Sequence, residues 1–171
     1  MNMKQSLIIL FATYFISLNF AVGQSITEQI RAEGKSISVS NSLGRFEPLW
    51  NAADNSNVKV TRDLKYGPDN KQGFDLYEPK NIPKTKSPIL IFLHGGSFVA
   101  GDKAMYANVG YYFAKKGITS VVMTYRLAPE FKWPTGTIDL ALQLKWLRDN
   151  PDKVKTGDVR KIFLFGHSAG A

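Results

Sequence analysis

The chain has no cysteine and only two histidines, His94 and His167, among its 171 residues. Without thiols it has no disulfide framework, no cysteine-based metal site and no cysteine for lipid attachment. It also lacks any long block of like charge, although Lys and Arg outnumber Asp and Glu by 22 to 14 and the formal net charge is +8. Because basic residues are spread among acidic ones along the chain, we expect a solvated, mildly basic surface and no nucleic-acid partner.

The first 23 residues have the three parts of a secretory signal peptide. Lys4 supplies the positive charge, an apolar core spans residues 7–20, and Ala21-Val22-Gly23 forms a small-x-small cleavage site. The alternative is an uncleaved membrane anchor, but the apolar core is shorter than the ~20 residues of a spanning helix. We therefore predict a mature protein that begins at Gln24, is secreted or periplasmic, and has no stable membrane association.

The rest of the chain divides into a weakly patterned segment and one domain. Residues 24–57 are rich in Ser and Asn, and we predict that they form an N-terminal arm or lid. Residues 58–171 form the predicted domain. Its first two segments, 58–66 and 73–79, alternate apolar and polar residues across a Gly67-Pro-Asp-Asn70 turn, which predicts an antiparallel pair with one exposed face.

Three later runs of apolar residues, 88–93, 118–125 and 162–165, predict strands that are buried on both faces of a parallel sheet. Between them, one helical pattern ends before Gly117 and a second opens at Pro134. This alternation predicts an α/β fold, a three-layer sandwich with a mostly parallel sheet and an antiparallel N-terminal pair.

The last predicted strand leads into Gly166-His-Ser-Ala-Gly170, a G-x-S-x-G pattern. This pattern is typical of a sharp strand-to-helix turn that exposes a nucleophilic serine, here Ser168. The alternative is a tight glycine turn without chemistry.

A second motif, His94-Gly95-Gly96, follows the predicted strand 88–93. Acyl transfer needs N–H donors aimed at the developing oxyanion, and we predict Gly95, Gly96 and Ala169 for that role.

Taken together, these motifs resemble the α/β-hydrolases. The nearest likeness is to the carboxylesterase branch that contains hormone-sensitive-lipase-like, feruloyl and acetyl-xylan esterases and arylformamidases. The likeness covers residues 58–171, and its motifs are 94–103, 125–130, Trp133-Pro134 and 166–170. Ser97 departs from the third glycine that is usual in hormone-sensitive-lipase-like members. The resemblance implies the α/β-hydrolase fold, a loop-bracing role for His94, and no metal or organic cofactor.

Two local interactions are expected from the residues themselves. Asp102 is placed to cap the N-terminus of the following helix. Arg126 and Glu130 are expected to form a charge-assisted pair that fixes the loop after the strand 118–125. Asp139 precedes the serine, whereas the family order places the triad acid after it, so we do not expect Asp139 to be that acid.

The resemblance also implies an Asp or Glu and then a His after the serine, but both histidines precede Ser168. We therefore expect the sequence to be the N-terminal portion of a longer secreted serine esterase and the 171-residue chain itself to be inactive. The expected substrate is a small-molecule or carbohydrate-linked ester. Two alternatives remain at this point: an amide hydrolase of the arylformamidase type, and a non-catalytic binding protein.

Overall fold

The computed structural model of the protein describes residues 28, 31, 39–81 and 84–171. The predicted signal peptide, residues 1–23, lies outside the described residues. The chain forms two compact units, Met1–Ala52 and Ala53–Ala171. In the first unit, helix α1 spans Val39–Asn51, which the Ser- and Asn-rich sequence did not predict. Ser and Asn have low helix propensity, and this weakens the sequence signal of such a helix. The arm-or-lid assignment of residues 24–57 stays a prediction.

The second unit contains a five-stranded sheet. Its strands are β1 (Val58–Lys65), β2 (Gly73–Pro79), β3 (Ser87–Leu93), β4 (Thr119–Met123) and β5 (Gly157–Gly166). Their order across the sheet is β1-β2-β4-β3-β5. Strand β2 is antiparallel to both of its neighbours, whereas β3 is parallel to β4 and β5. The predicted antiparallel pair at the start of the domain is confirmed, as is the parallel part of the sheet. The predicted exposed face of that pair is wrong for β2, because residues 73–78 are all buried.

Helices cover the two faces of this sheet. A 3₁₀ turn, Lys103–Tyr106, leads into helix α2 (Ala107–Lys115), and helix α3 spans Thr135–Asp149. Helix α2 packs on a cluster that includes Tyr77, Phe92 and Val122, and α3 packs on the opposite face, where Phe74 meets Trp146. Successive strand residues point to opposite faces of a sheet, and along β2, β3 and β4 the residues on both faces are mostly buried. The predicted three-layer α/β architecture is confirmed.

Strand β5 differs from the prediction of a strand buried on both faces. Phe163, Leu164 and Phe165 are 60%, 54% and 46% exposed. Within the described residues β5 pairs with β3 along one side and with no strand along the other. Strands β3 and β4, which have a neighbour on each side, are buried as predicted along most or all of their length.

The loop after β4 is held by an ion pair that differs from the predicted Arg126–Glu130 pair. The Nη2 atom of Arg126 lies 2.7 Å from Oδ1 of Asp139 on α3, and the backbone N–H of Arg126 donates to Oδ2 of the same carboxylate. Gln72 donates a further bond to Asp139 at 2.8 Å. Glu130 is exposed. The prediction was wrong because Asp139 is fully buried and needs several donors, whereas Glu130 is solvated.

Candidate active site

Strand β5 ends in a strained turn that carries Ser168. The serine has a φ of +53°, a left-handed conformation that non-glycine residues seldom adopt. The two glycines of the motif are required by close backbone contacts. A Cβ on Gly166 would lie 2.1 Å from the carbonyl oxygen of Gly170, and one on Gly170 would lie 2.4 Å from that of Leu93. The sequence Gly-x-Ser-x-Gly therefore makes a turn that exposes the serine.

Strand β3 ends beside this turn and leads into the loop that contains the second motif. Gly96, Ser97 and Phe98 have φ values of +136°, +55° and +63°. A Cβ on Gly96 would lie 2.0 Å from the carbonyl oxygen of Ala100, so no larger residue fits there without a shift of the backbone. The loop closes on itself because the N–H groups of Val99 and Ala100 both donate to the carbonyl of Gly96.

The two motifs meet because β3 and β5 are parallel neighbours, with Leu93 opposite Gly166. The N–H of His167 donates to the carbonyl of Leu93 at 3.1 Å. A Cβ on Gly95 would lie only 3.1 Å from the Cβ of Ser168. The fold thus brings the backbone of Gly95 against the serine side chain. Gly96 follows in the same loop, and Ala169 follows the serine, half-buried.

His94 is fully buried between the sheet and the loop. Its Nδ1 lies 2.8 Å from the carbonyl oxygen of Gly95, so Nδ1 carries the proton and donates it. The imidazole stacks on Tyr125 with 4.4 Å between ring centroids, and the Tyr125 hydroxyl donates to the His94 carbonyl at 2.7 Å. Burial lowers the pKa of His94, which keeps the ring neutral. The bond from Nδ1 to the Gly95 carbonyl is the contact through which His94 would brace the loop.

The second histidine, His167, is exposed on the serine turn. Its Nδ1 is hydrogen-bonded to the Tyr106 hydroxyl at 2.9 Å. Among the described residues, no hydrogen bond joins the Ser168 side chain to His94 or to His167. The structure therefore brings the serine and the candidate oxyanion loop together, but it pairs neither histidine with the serine as a general base.

A cavity of about 780 Å³ opens next to the serine turn. Its lining is mostly apolar and includes Leu93 at the end of β3, Phe98 in the candidate oxyanion loop, Trp133 before α3, Leu140 on α3 and Ala169 in the turn. Two cationic residues, Arg126 and Lys132, also line it. A predominantly apolar wall with a few polar groups is typical of a small-molecule site. This cavity could not be identified from the sequence, because its lining comes from three separate segments, 93–98, 125–140 and 164–171.

Two further observations concern only the part of the chain that the structure describes. No cluster of three or more His, Cys, Asp or Glu side chains is arranged to hold a metal ion there. None of the helices in those residues has the length and apolar character that a membrane span requires.

Comparison with known proteins identifies the family. The family named BD-FAE matches residues 74–171. The chain is 34% identical over 128 residues to Esterase LipC of Mycobacterium tuberculosis, covering 74% of this chain and 31% of that protein. It is 32% identical over 126 residues to an arylesterase of Saccharolobus solfataricus, covering 72% of this chain and 40% of that one.

Among solved structures, esterase B from Lactobacillus rhamnosus superposes with a TM-score of 0.66 at 23% identity, over 86% of this chain and 46% of that one. This likeness shows the fold, which is the α/β-hydrolase fold. The chain belongs to the BD-FAE family, and the two sequence relatives that it matches at more than 30% identity are named esterase and arylesterase. It spans less than half the length of each of these three relatives.

Proposed function

We propose that the protein is a serine esterase that cleaves carboxylic esters through an acyl-enzyme, with Ser168 as the nucleophile. The observation that carries this proposal is the strained Ser168, with a φ of +53°, against which the backbone of Gly95 packs. Relatives at more than 30% identity that are named esterase and arylesterase support it and favour ester over amide substrates.

In the proposed reaction the Ser168 oxygen attacks the ester carbonyl carbon, and the carbonyl oxygen becomes an oxyanion. The N–H groups of Gly95, Gly96 and Ala169 would donate to that oxyanion, and His94 would brace the loop through its bond to the Gly95 carbonyl. Collapse of the tetrahedral intermediate expels the alcohol, which takes the proton that the serine released. Water then releases the acid and restores the serine.

A serine hydroxyl needs a general base to react at neutral pH. Neither His94 nor His167 bonds to Ser168, and the matched part of this chain covers only 31% to 46% of each of the three relatives. We therefore propose that the base and its acid partner come from outside these 171 residues, and that the 171-residue chain alone is inactive.

The substrate and the location are also proposals. The cavity beside the turn has room for a small-molecule ester or for one ester group on a larger, carbohydrate-linked molecule. The signal-peptide pattern of the first 23 residues supports a secreted or periplasmic enzyme.

The test uses the protein expressed from its whole reading frame. A fluorophosphonate probe is expected to label Ser168, located by peptide mass spectrometry, and the protein is expected to hydrolyse short p-nitrophenyl esters. Ser168→Ala should lower the rate by about 10³-fold or more. Ser56→Ala, at an exposed serine in the chain before β1, is the matched control and should leave the rate unchanged. An equal rate in the Ser168→Ala variant would exclude this serine as the nucleophile.

A further inference from the structure

One hydrogen bond joins the serine turn to the segment that follows the candidate oxyanion loop. The Tyr106 hydroxyl lies 2.9 Å from Nδ1 of His167, the residue immediately before Ser168. The two residues are 61 positions apart in the chain, so the bond connects two segments that leave different strands. Neither the sequence motifs nor the proposed reaction assigns a role to Tyr106.

The His167 ring occupies the space beside the candidate oxyanion donor. A Cβ on Gly95 would lie 2.8 Å from Nδ1 of His167 and 2.9 Å from its carbonyl oxygen. The backbone of His167 is itself fixed, because its N–H donates to Leu93 and its carbonyl accepts from Gly170. The ring is therefore held between the backbone of Gly95 on one side and the Tyr106 hydroxyl on the other.

Tyr106 is well anchored for this purpose. Its ring packs on Phe92 with 5.0 Å between centroids. It ends the 3₁₀ turn that Asp102 caps by accepting from the N–H of Ala104 at 2.9 Å, which confirms the predicted cap. Lys103, in the same turn, lies 2.8 Å from the buried carboxylate of Asp75. A side chain that is locked by packing and by a fixed backbone can hold a neighbouring group in place.

We propose that Tyr106 is a positioning residue of the active site. Its hydroxyl holds the His167 ring, and the ring keeps the backbone of Gly95 at a fixed place relative to Ser168. This inference rests on the proposed function of Ser168. Tyr106 does not line the cavity beside the turn, so its hydroxyl affects the reacting centre and not the binding of substrate. Loss of the hydroxyl should therefore lower kcat and leave KM unchanged.

The experiment compares Tyr106→Phe with wild type in the protein expressed from its whole reading frame. We expect kcat and the rate of fluorophosphonate labelling to fall by about 3- to 10-fold, the scale of one neutral hydrogen bond, with KM and Tm unchanged. Tyr112→Phe, on the exposed side of α2, removes a hydroxyl away from the site and should change nothing. In a His167→Ala background, Tyr106→Phe should have no further effect on kcat, because the two groups act through one bond.

Nitrogen NMR of the His167 imidazole separates failure of this inference from failure of the proposed function. If the bond exists in solution, the Nδ1 resonance shifts in Tyr106→Phe whether or not the protein is active. An unshifted resonance would overturn the inference, as would a shifted resonance with an unchanged kcat. A wild-type protein that is not labelled at Ser168 would overturn the proposed function, and the positioning role with it.

Discussion

Gly95 and Ser168 pack so closely that a Cβ on the glycine would lie 3.1 Å from the Cβ of the serine. The same added atom would lie 2.9 Å from the carbonyl oxygen of His167, a backbone atom that has no freedom to rotate away. Gly95→Ala should therefore displace the loop from the serine and lower kcat by about 10²-fold, the scale of a lost oxyanion donor. Ester hydrolysis and thermal unfolding are measured on the same variant.

The control for this prediction is Gly117→Ala, which we expect to lower stability and leave kcat unchanged. Gly117 has a φ of +82° and open space around it, so the alanine meets strain and no clash. That strain should cost about 1–2 kcal/mol of folding free energy. It should leave kcat unchanged, because Gly117 lies between α2 and the start of β4, whereas the motifs follow the ends of β3 and β5. A wild-type rate in Gly95→Ala would contradict the placement of Gly95 in the oxyanion site.

The ion pair between Arg126 and Asp139 predicts a difference between two aspartates of α3. Asp139 is fully buried and accepts from Arg126 and Gln72, whereas Asp149 is exposed and pairs with Lys145 one turn away. Asp139→Asn leaves the guanidinium without its anion and should lower the free energy of unfolding by about 3 kcal/mol. Asp149→Asn should cost less than about 0.5 kcal/mol. Urea unfolding measures both changes in unfolding free energy, and equal losses would contradict a stabilising role of the buried Arg126–Asp139 pair.

The apolar runs and turn residues predicted most of the fold. Strands β1 to β4, the helix start after Pro134 and the Asp102 cap depend on local features, such as periodicity, proline geometry and short-range hydrogen bonds. The sequence also placed each of the two motifs after a strand of one parallel sheet, and parallel strands present their carboxyl ends at one edge. That β3 and β5 are neighbours, which brings Gly95 against Ser168, is seen only in the structure.

What could not be predicted depends on partners distant in the chain. The exposure of Phe163 is set by what pairs with β5, and an apolar run has the same sequence whether or not a neighbour covers it. Arg126 had several acidic residues as candidate partners, and only the packing of α3 selects Asp139. Tyr106 belongs to an ordinary amphipathic pattern, so nothing in the sequence indicated its bond to His167.

The signal-peptide pattern predicts the N-terminus of the exported protein. Intact-mass measurement of the product released by the expressing cells should give a chain that begins at Gln24. Ala21→Arg places a large charged residue where the cleavage site needs a small one, so this variant should retain the first 23 residues. Wild-type protein that stayed in the membrane fraction and still carried Met1 would favour the anchor over the cleaved signal.

The burial of His94 predicts a pH dependence of stability. Burial, the largest influence, lowers the pKa of its imidazole below the ordinary 6.5, against the opposing effects of the Gly95 carbonyl and Asp102. Below about pH 6.5 the unfolded chain binds a proton that the folded chain does not, so the free energy of unfolding falls as the pH falls. The contribution to the pH dependence of the unfolding free energy is at most about 1.4 kcal/mol per pH unit.

His94→Gln should lower stability at every pH but reduce the slope of unfolding free energy against pH between pH 5 and 6.5. Leu147→Ala, which removes buried apolar volume and no titrating group, should lower stability and keep the slope. If the slope of His94→Gln matched that of wild type in urea unfolding, His94 would not be the group that takes up the proton.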